Sequence, residues 1–331
     1  MNIARVGVLL AGLPNSVPGY TINRFCSSGI QVVADAAAQI QLGLADVMIA
    51  AGTESMSVMP NIMDNKVNPN PAIFAHEENL GIAYGMGLTA EKVASQWKIG
   101  REEQDAFAVA SHQKACAAIA EGHFLAEISP FMVHQHQPDL RSGEVKIKER
   151  LVDTDEGPRG DASVAGLGKL RTVFHAWGSV TAGNASQMSD GAGAVMLVSE
   201  KVLKEHNLTP LARFVSYAVA GVPPEIMGIG PIAAIPKALK QAGIRQEDLD
   251  WIELNEAFAA QALAVLKDLN LDPTKINPLG GAIALGHPLG ATGAIRTATV
   301  VHGLQRTGGR YGMVSMCIGT GMGAAGIIER I

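Results

Sequence analysis

Several common pointers to function are scarce in this chain. Its 331 residues include 3 cysteines, and only 5% are aromatic. Three thiols are an odd number and too few for a disulfide framework, so free thiols in a reducing compartment are expected. Charged residues make up 17%, and the formal net charge is −5. Without a global basic field, nucleic acid and anionic membrane surfaces are not expected partners. No apolar run is long enough to cross a bilayer. Arg5 followed by Val6–Leu13 mimics a signal peptide, but no small-x-small cleavage site precedes Pro14. The segment reads as an internal helix, and the protein as cytoplasmic. Most histidines, including His134 and His136, lack metal-ligand spacing or acidic partners, so surface positions and no metal site are expected.

What is abundant is small and apolar: 47% of residues are hydrophobic and 37 are glycine. That is enough for a large core in two domains. After residue 210 the pattern alternates. Strands are expected at Leu211–Val219, Asp250–Leu254, Lys275–Leu279, Tyr311–Met316 and Ala324–Glu329. Helices are expected at Ile235–Ala242, with Pro236 in its first turn and Gly243 as its stop, at Ala257–Leu269 and at Thr292–Leu304. Such alternation predicts an α/β fold with a mainly parallel sheet covered on both faces.

The first part repeats the later portion of this pattern. It has a helix at Ala4–Leu13, a strand at Gly19–Asn23, a helix at Ser27–Leu44 and strands at Asp46–Ala51 and Ala192–Val198. Aligning the halves puts Cys26 and His287 at equivalent strand-to-helix junctions, the mark of an internal duplication. The same alignment leaves roughly 50 residues without a counterpart at the start. Between Ala51 and Val195 the alternation breaks, with a Pro/Asn-rich stretch at Asn61–Pro71, a helix at Arg101–Glu121 and a charged stretch at Asp139–Arg171. Insertions of that length are usually functional. The domains expected are residues 1–201, with a loop domain of about 57–178 inserted, and residues 208–331.

Three chemically loaded residues stand on Gly-rich turns: Cys26 in Asn23-Arg24-Phe25-Cys26-Ser27-Ser28-Gly29, His287 in Gly286-His287-Pro288-Leu289-Gly290, and Cys317 in Cys317-Ile318-Gly319-Thr320-Gly321. Two thiols and an imidazole are the parts needed for acyl transfer through a thioester. A lone Cys26 would read as a buried structural residue. At a helix N-terminus, however, its thiolate would be favoured and its pKa lowered. Cys116, in an Ala-rich helical segment, reads as a small apolar residue. Gly321-Met322-Gly323-Ala324-Ala325-Gly326 fits a dinucleotide fingerprint, but no helix and second strand follow it before residue 331.

With Asn255-Glu256-Ala257-Phe258, these motifs closely resemble the thiolase family, and the resemblance covers essentially the whole chain. It implies a duplicated, five-layered α-β-α-β-α fold in which the helix Ser27–Leu44 lies between two sheets. It implies an acyl-CoA:acetyl-CoA C-acyltransferase that cleaves 3-ketoacyl-CoA through an acyl-cysteine, as in fatty acid β-oxidation, with coenzyme A as co-substrate and no permanently bound cofactor. In that scheme Cys26 is the nucleophile, His287 takes its proton, and Cys317 is the acid/base at the α-carbon. The N–H of Gly319 joins that of Cys26 in one oxyanion hole, and Asn255 holds a water that forms a second with His287. Asn255 can also be read as a polar helix cap. Ser186 would contact the pantetheine arm, Arg159, Leu170 and Phe174 the nucleotide end, and Met86 would wall the acyl pocket. Glycine at position 85, where short-chain relatives often carry His, favours longer acyl chains. Acetoacetyl-CoA thiolase and a non-catalytic acyl-CoA-binding protein remain alternatives. The resemblance further implies a homodimer or homotetramer, with association to a β-oxidation multienzyme partner also compatible.

Overall fold

A computed structural model of the chain describes residues 2–58 and 70–331. The Pro/Asn-rich stretch lies, apart from its last two residues, outside the described part. The N-terminal portion contains α1 (Ile3–Leu10), α2 (Ser28–Gln41) and β1 (Val47–Ser55). The insertion supplies α3 (Met86–Gln96), α4 (Arg101–Ala120), the strands β2 (Phe131–Pro138) and β3 (Val145–Val152), and the short α5 (Val164–Leu167). Then come β4 (Asp190–Val198) and α6 (Glu200–Glu205). The C-terminal portion runs β5 (Ala212–Gly221), α7 (Gly230–Ala242), β6 (Leu249–Leu254), α8 (Ala259–Leu269), α9 (Ala282–Leu285), α10 (Leu289–Thr307), β7 (Tyr311–Ile318) and β8 (Met322–Arg330).

The C-terminal sheet has the order β5-β8-β7-β6, and the N-terminal sheet pairs β1 with β4. Among the strand pairs of the described residues only β6 and β7 run parallel; β5–β8, β7–β8 and β1–β4 are antiparallel. The expected mainly parallel sheet is therefore corrected to a mixed one. The cause is local. After β7 the chain reverses through Thr320 and Gly321, both at positive φ, so β8 returns as an antiparallel neighbour without a crossover helix.

Side chains of the C-terminal sheet alternate between two cores, as a pleat requires. Ile252, Leu254, Met313 and Ile327 pack outward against α7 and α8, while Trp251, Val314, Met316 and Ile328 pack inward with α2 and α10. The inner helix layer also covers β1 and β4. On the far face of that small sheet Val47, Ile49 and Met196 are exposed.

The two inner helices touch backbone to backbone. A Cβ built on Gly29 of α2 would lie 2.5 Å from the amide nitrogen of Ala294 in α10. Glycine is required there because nothing larger fits between the helices.

Some expected elements shift. Gly19–Asn23 is not a strand. It is tied to α1 by side chains, with Asn2 Nδ2 donating to the Gly19 carbonyl and the Ala4 N–H to Thr21 Oγ1. Lys275–Leu279 makes a single bridge, Ile252 to Ile276, rather than a strand. Helix α7 starts at Gly230, so Pro236 lies inside it and Pro231 occupies the first turn. Gly243 ends that helix in the left-handed conformation, as expected.

Candidate active site

Cys26 lies in a 3-10 turn, Phe25–Ser27, that leads into α2. The turn is held by local polar bonds: the Arg24 N–H donates to Ser28 Oγ at 2.8 Å, and the Phe25 N–H to Asn23 Oδ1 at 2.8 Å. Phe25 takes a left-handed φ of 46°, an uncommon conformation for a bulky residue, directly before the thiol. The turn rests against both α10 and β7. Cys26 is buried, and the N–H of Gly319 faces its sulfur. The expected lowering of its pKa is not what the environment produces. Burial pushes the thiol up to about 11, the Gly319 N–H pulls it down, and the Glu54 carboxylate pushes it up further. Cys26 therefore rests as a thiol and needs a base.

Cys317 is the penultimate residue of strand β7 and is fully buried. Burial first, and then proximity to Cys26, raise its pKa strongly. The two thiols and the Gly319 N–H thus share one space.

Asn255 follows β6, and its N–H donates to the Ser315 carbonyl at 2.9 Å, two residues before Cys317 on the adjacent strand. Its Nδ2 lies 3.2 Å from His287 Nε2. His287 stands just before α10, buried, with Nδ1 2.7 Å from Thr292 Oγ1 and its backbone N–H on Ser189 Oγ at 3.1 Å. With the amide NH2 facing Nε2, the tautomer that suits both contacts carries its proton on Nδ1, towards Thr292. Burial and then the Arg296 charge push the imidazole down to about 3, so it is neutral at pH 7. Asn255 Oδ1 is buried with no partner among the described residues. An acceptor left so is the natural contact for a donor such as a water.

Of the residues assigned to coenzyme A, four lie on segments packed near the Asn255 loop or Gly319. Ser186 donates its N–H to the Ala257 carbonyl, and Ala185 bridges to Phe258, so that segment runs beside the Asn255 loop. Phe174 packs edge-on to Phe258, ring centroids 6.1 Å apart. Leu170 sits against Gly183, and Met86 Sδ would be 3.8 Å from a Cβ on Gly319. Arg159 is exposed, and its backbone N–H goes to His112 Nδ1 at 3.2 Å on α4 instead. His134 has an acidic neighbour after all, since its Nδ1 is 3.3 Å from Glu149 Oε1 across the β2–β3 ladder. A cross-strand partner of this kind is invisible until the register is known.

The sequence pattern did not single out Thr292, Ser189, Glu91 or Glu256. Glu91 accepts the N–H groups of Ser179 and Val180 and so fixes the start of the segment that carries Ser186. Glu256 was visible only as the neighbour of Asn255.

Two thiols and a neutral imidazole near the Gly319 N–H are the groups that acyl transfer through a thioester requires. Residues 1–201 match the thiolase N-terminal domain and residues 208–330 the thiolase C-terminal domain. The chain belongs to the thiolase family. It is 48% identical to the 3-ketoacyl-CoA thiolase of Bacillus subtilis, over 99% of this chain and 83% of that protein. It is also 48% identical to the peroxisomal 3-ketoacyl-CoA thiolase 2 of Arabidopsis thaliana, over 98% of this chain and 70% of that protein. The fold superposes on the dimeric peroxisomal thiolase of Saccharomyces cerevisiae with a TM-score of 0.87 at 43% identity, covering 99% of this chain and 80% of that one. For the human mitochondrial 3-ketoacyl-CoA thiolase in complex with CoA the TM-score is 0.86 at 42% identity, covering 99% and 82%. Among the described residues no helix is long and apolar enough to cross a membrane.

Proposed function

We propose that this chain is a coenzyme A-dependent acyltransferase that cleaves 3-ketoacyl-CoA by thiolysis. The observation that carries the reading is the meeting of the Cys26 and Cys317 thiols beneath the Gly319 N–H, with the neutral His287–Asn255 pair on the adjoining turn. Cys26 Sγ bonds to the 3-keto carbon as its proton passes to His287 Nε2, and the oxyanion is received by the N–H groups of Cys26 and Gly319. The C2–C3 bond then breaks. Its electron pair goes to C2, and the Cys317 S–H delivers a proton there, releasing acetyl-CoA. A second coenzyme A gives its thiol proton to the Cys317 thiolate and attacks the acyl group. Cys26 leaves and recovers its proton from His287.

Asn255 Oδ1, buried and unpartnered, supports a water held against the substrate oxygen beside His287. Ser186, Leu170, Phe174 and Met86 form the coenzyme A and acyl channel, with Arg159 at its exposed, nucleotide end. Glycine at position 85, next to Met86, where a Cβ would meet nothing within 4 Å among the described residues, supports room for longer acyl chains. The exposed apolar face of β1 and β4 favours a homodimer.

Turnover of acetoacetyl-CoA and of a ten-carbon 3-ketoacyl-CoA, each with free coenzyme A, tests the proposal. Thiolysis of the longer substrate at the higher kcat/KM is expected. Preference for acetoacetyl-CoA would give the short-chain enzyme, and binding without turnover would give a non-catalytic acyl-CoA-binding protein.

A further inference from the structure

Glu256 is 2% exposed and touches none of the groups assigned above to chemistry, yet segments from distant parts of the chain converge on its carboxylate. Oε2 accepts the Ser111 hydroxyl of α4 at 2.7 Å and the Ile283 N–H at 3.2 Å, and Oε1 accepts Asn277 Nδ2 at 2.7 Å. Ser111 Oγ in turn accepts the Gly281 N–H at 3.0 Å. Asn277 reaches back to β6: its Nδ2 donates to the Leu254 carbonyl at 2.8 Å, and its Oδ1 accepts the Leu254 N–H at 2.9 Å. The carboxylate also lies flat on the backbone of the His287-bearing loop, where a Cβ on Gly281 would be 2.1 Å from Cδ. One side chain therefore fixes the end of β6, where Asn255 begins, and the start of the Gly281–Gly286 turn, where His287 ends.

We propose that Glu256 is a positioning residue for the thiolase reaction, setting the 3.2 Å approach of Asn255 Nδ2 to His287 Nε2. The proposal rests on the reading above and deepens it. Other bonds hold each loop singly, Gln261 Nε2 to the Asn255 carbonyl at 3.2 Å and Gln187 Nε2 to the Ile283 and Ala284 carbonyls at 3.1 and 2.8 Å, whereas the Glu256 carboxylate ties the two loops to each other. The Asn255 amide and the imidazole come from separate loops, and a misplacement of about 1 Å at such a pair costs on the order of 100-fold in rate. Glutamine cannot replace the carboxylate. An amide accepts at one oxygen only, so its NH2 must face either Asn277 Nδ2 or the Ile283 N–H, donor against donor.

The test uses Glu256→Gln, Glu256→Asp and the milder Ser111→Ala in the full chain. Each is read for thermal midpoint, for kcat and KM in thiolysis, and for the rate at which iodoacetamide labels the peptide containing Cys26. Glu256→Gln is expected to lose about 10- to 100-fold in kcat with KM changed less than about 3-fold, and to slow Cys26 labelling, because the base is displaced. Glu256→Asp should recover part of both, and Ser111→Ala should lose a few-fold in the same direction. A folded Glu256→Gln protein with wild-type kcat and labelling rate would overturn the proposal, as would equal loss in the Gln and Asp variants. If Glu256→Gln does not fold, a wild-type labelling rate in Ser111→Ala overturns it. Absence of thiolysis by the wild type would defeat the thiolase reading alone, and the labelling rates would still decide the role of Glu256.

Discussion

Replacing Gly29 by alanine should harm this protein although the same change usually helps a helix. In a helix interior, glycine to alanine stabilises by about 0.5–1 kcal/mol through the smaller entropy of the unfolded chain. At Gly29 the new Cβ would sit 2.5 Å from Ala294 N and 2.8 Å from Gly293 N, both backbone atoms that cannot rotate away. Ordinary contact begins near 3.4 Å, so α2 and α10 must part by about 0.9 Å, an overpacking that costs about 1–3 kcal/mol. Net of the helix term, the loss is up to about 2.5 kcal/mol, or a few degrees in Tm. Activity should suffer more. The turn bearing Cys26 leads into α2 and His287 stands just before α10, so a shift of most of an ångström between the helices predicts a fall in kcat of up to about 100-fold. Gly7→Ala is the internal control, since Gly7 lies mid-helix in α1 with nothing within 4 Å of its Cβ position, and it should raise Tm slightly. Calorimetry and steady-state thiolysis on the two variants decide the matter. A Gly29→Ala protein as stable and as fast as the wild type would refute the close-contact argument.

Three further outcomes are expected. Cys317→Ala should lose thiolysis by at least about 1000-fold while Cys26 still exchanges acyl groups with acetyl-CoA, a step that needs no α-carbon proton; equal loss of both would deny Cys317 its separate role. Glu253, fully buried 3.6 Å from Arg296, has its carboxyl pushed up to about 7, chiefly by burial, from a usual 4.5. Between those values the folded chain holds a proton that the unfolded chain has released, so this group lowers stability as pH rises through that window. His287, pushed down to about 3, works in the opposite sense as pH rises from 3 towards 6.5. Glu253→Gln leaves the His287 contribution in place, so its Tm relative to the wild type should improve from pH 5 to pH 7, and a constant difference would contradict the assignment. Gly85→His should cut kcat/KM for the ten-carbon substrate relative to acetoacetyl-CoA by about 10-fold or more, measured by competition, and an unchanged ratio would remove Gly85 from the acyl wall.

The parts of the fold legible in the sequence were those with one clear local signal. Helices α2 and α10 and strands β6, β7 and β8 appear within a few residues of their expected bounds, because period and Gly stops agree there. Gly19–Asn23 and Lys275–Leu279 carry strand-like residues, but ladder partners decide strands, and neither segment has a row of them. Pro236 looked like a helix start because Pro231, the residue actually in that place, stands in a Gly-rich run that reads as loop. At the site, the motif glycines announced Cys26, His287 and Cys317. The pKa of Cys26 was misjudged because a helix N-terminus is local and visible, whereas burial is the work of the whole fold. Glu256 and Ser111 lie 145 residues apart and meet only in three dimensions.

The central claim is that Cys26 carries the acyl group, and intact mass with peptide mapping tests it most directly. The protein is mixed with a 3-ketoacyl-CoA in the absence of free coenzyme A, quenched in acid and digested. The account predicts a thioester-labile acyl mass on the peptide containing Cys26, absent from Cys26→Ala and discharged by added coenzyme A. An adduct on Cys116 or Cys317 instead, or none while thiolysis proceeds, would contradict it.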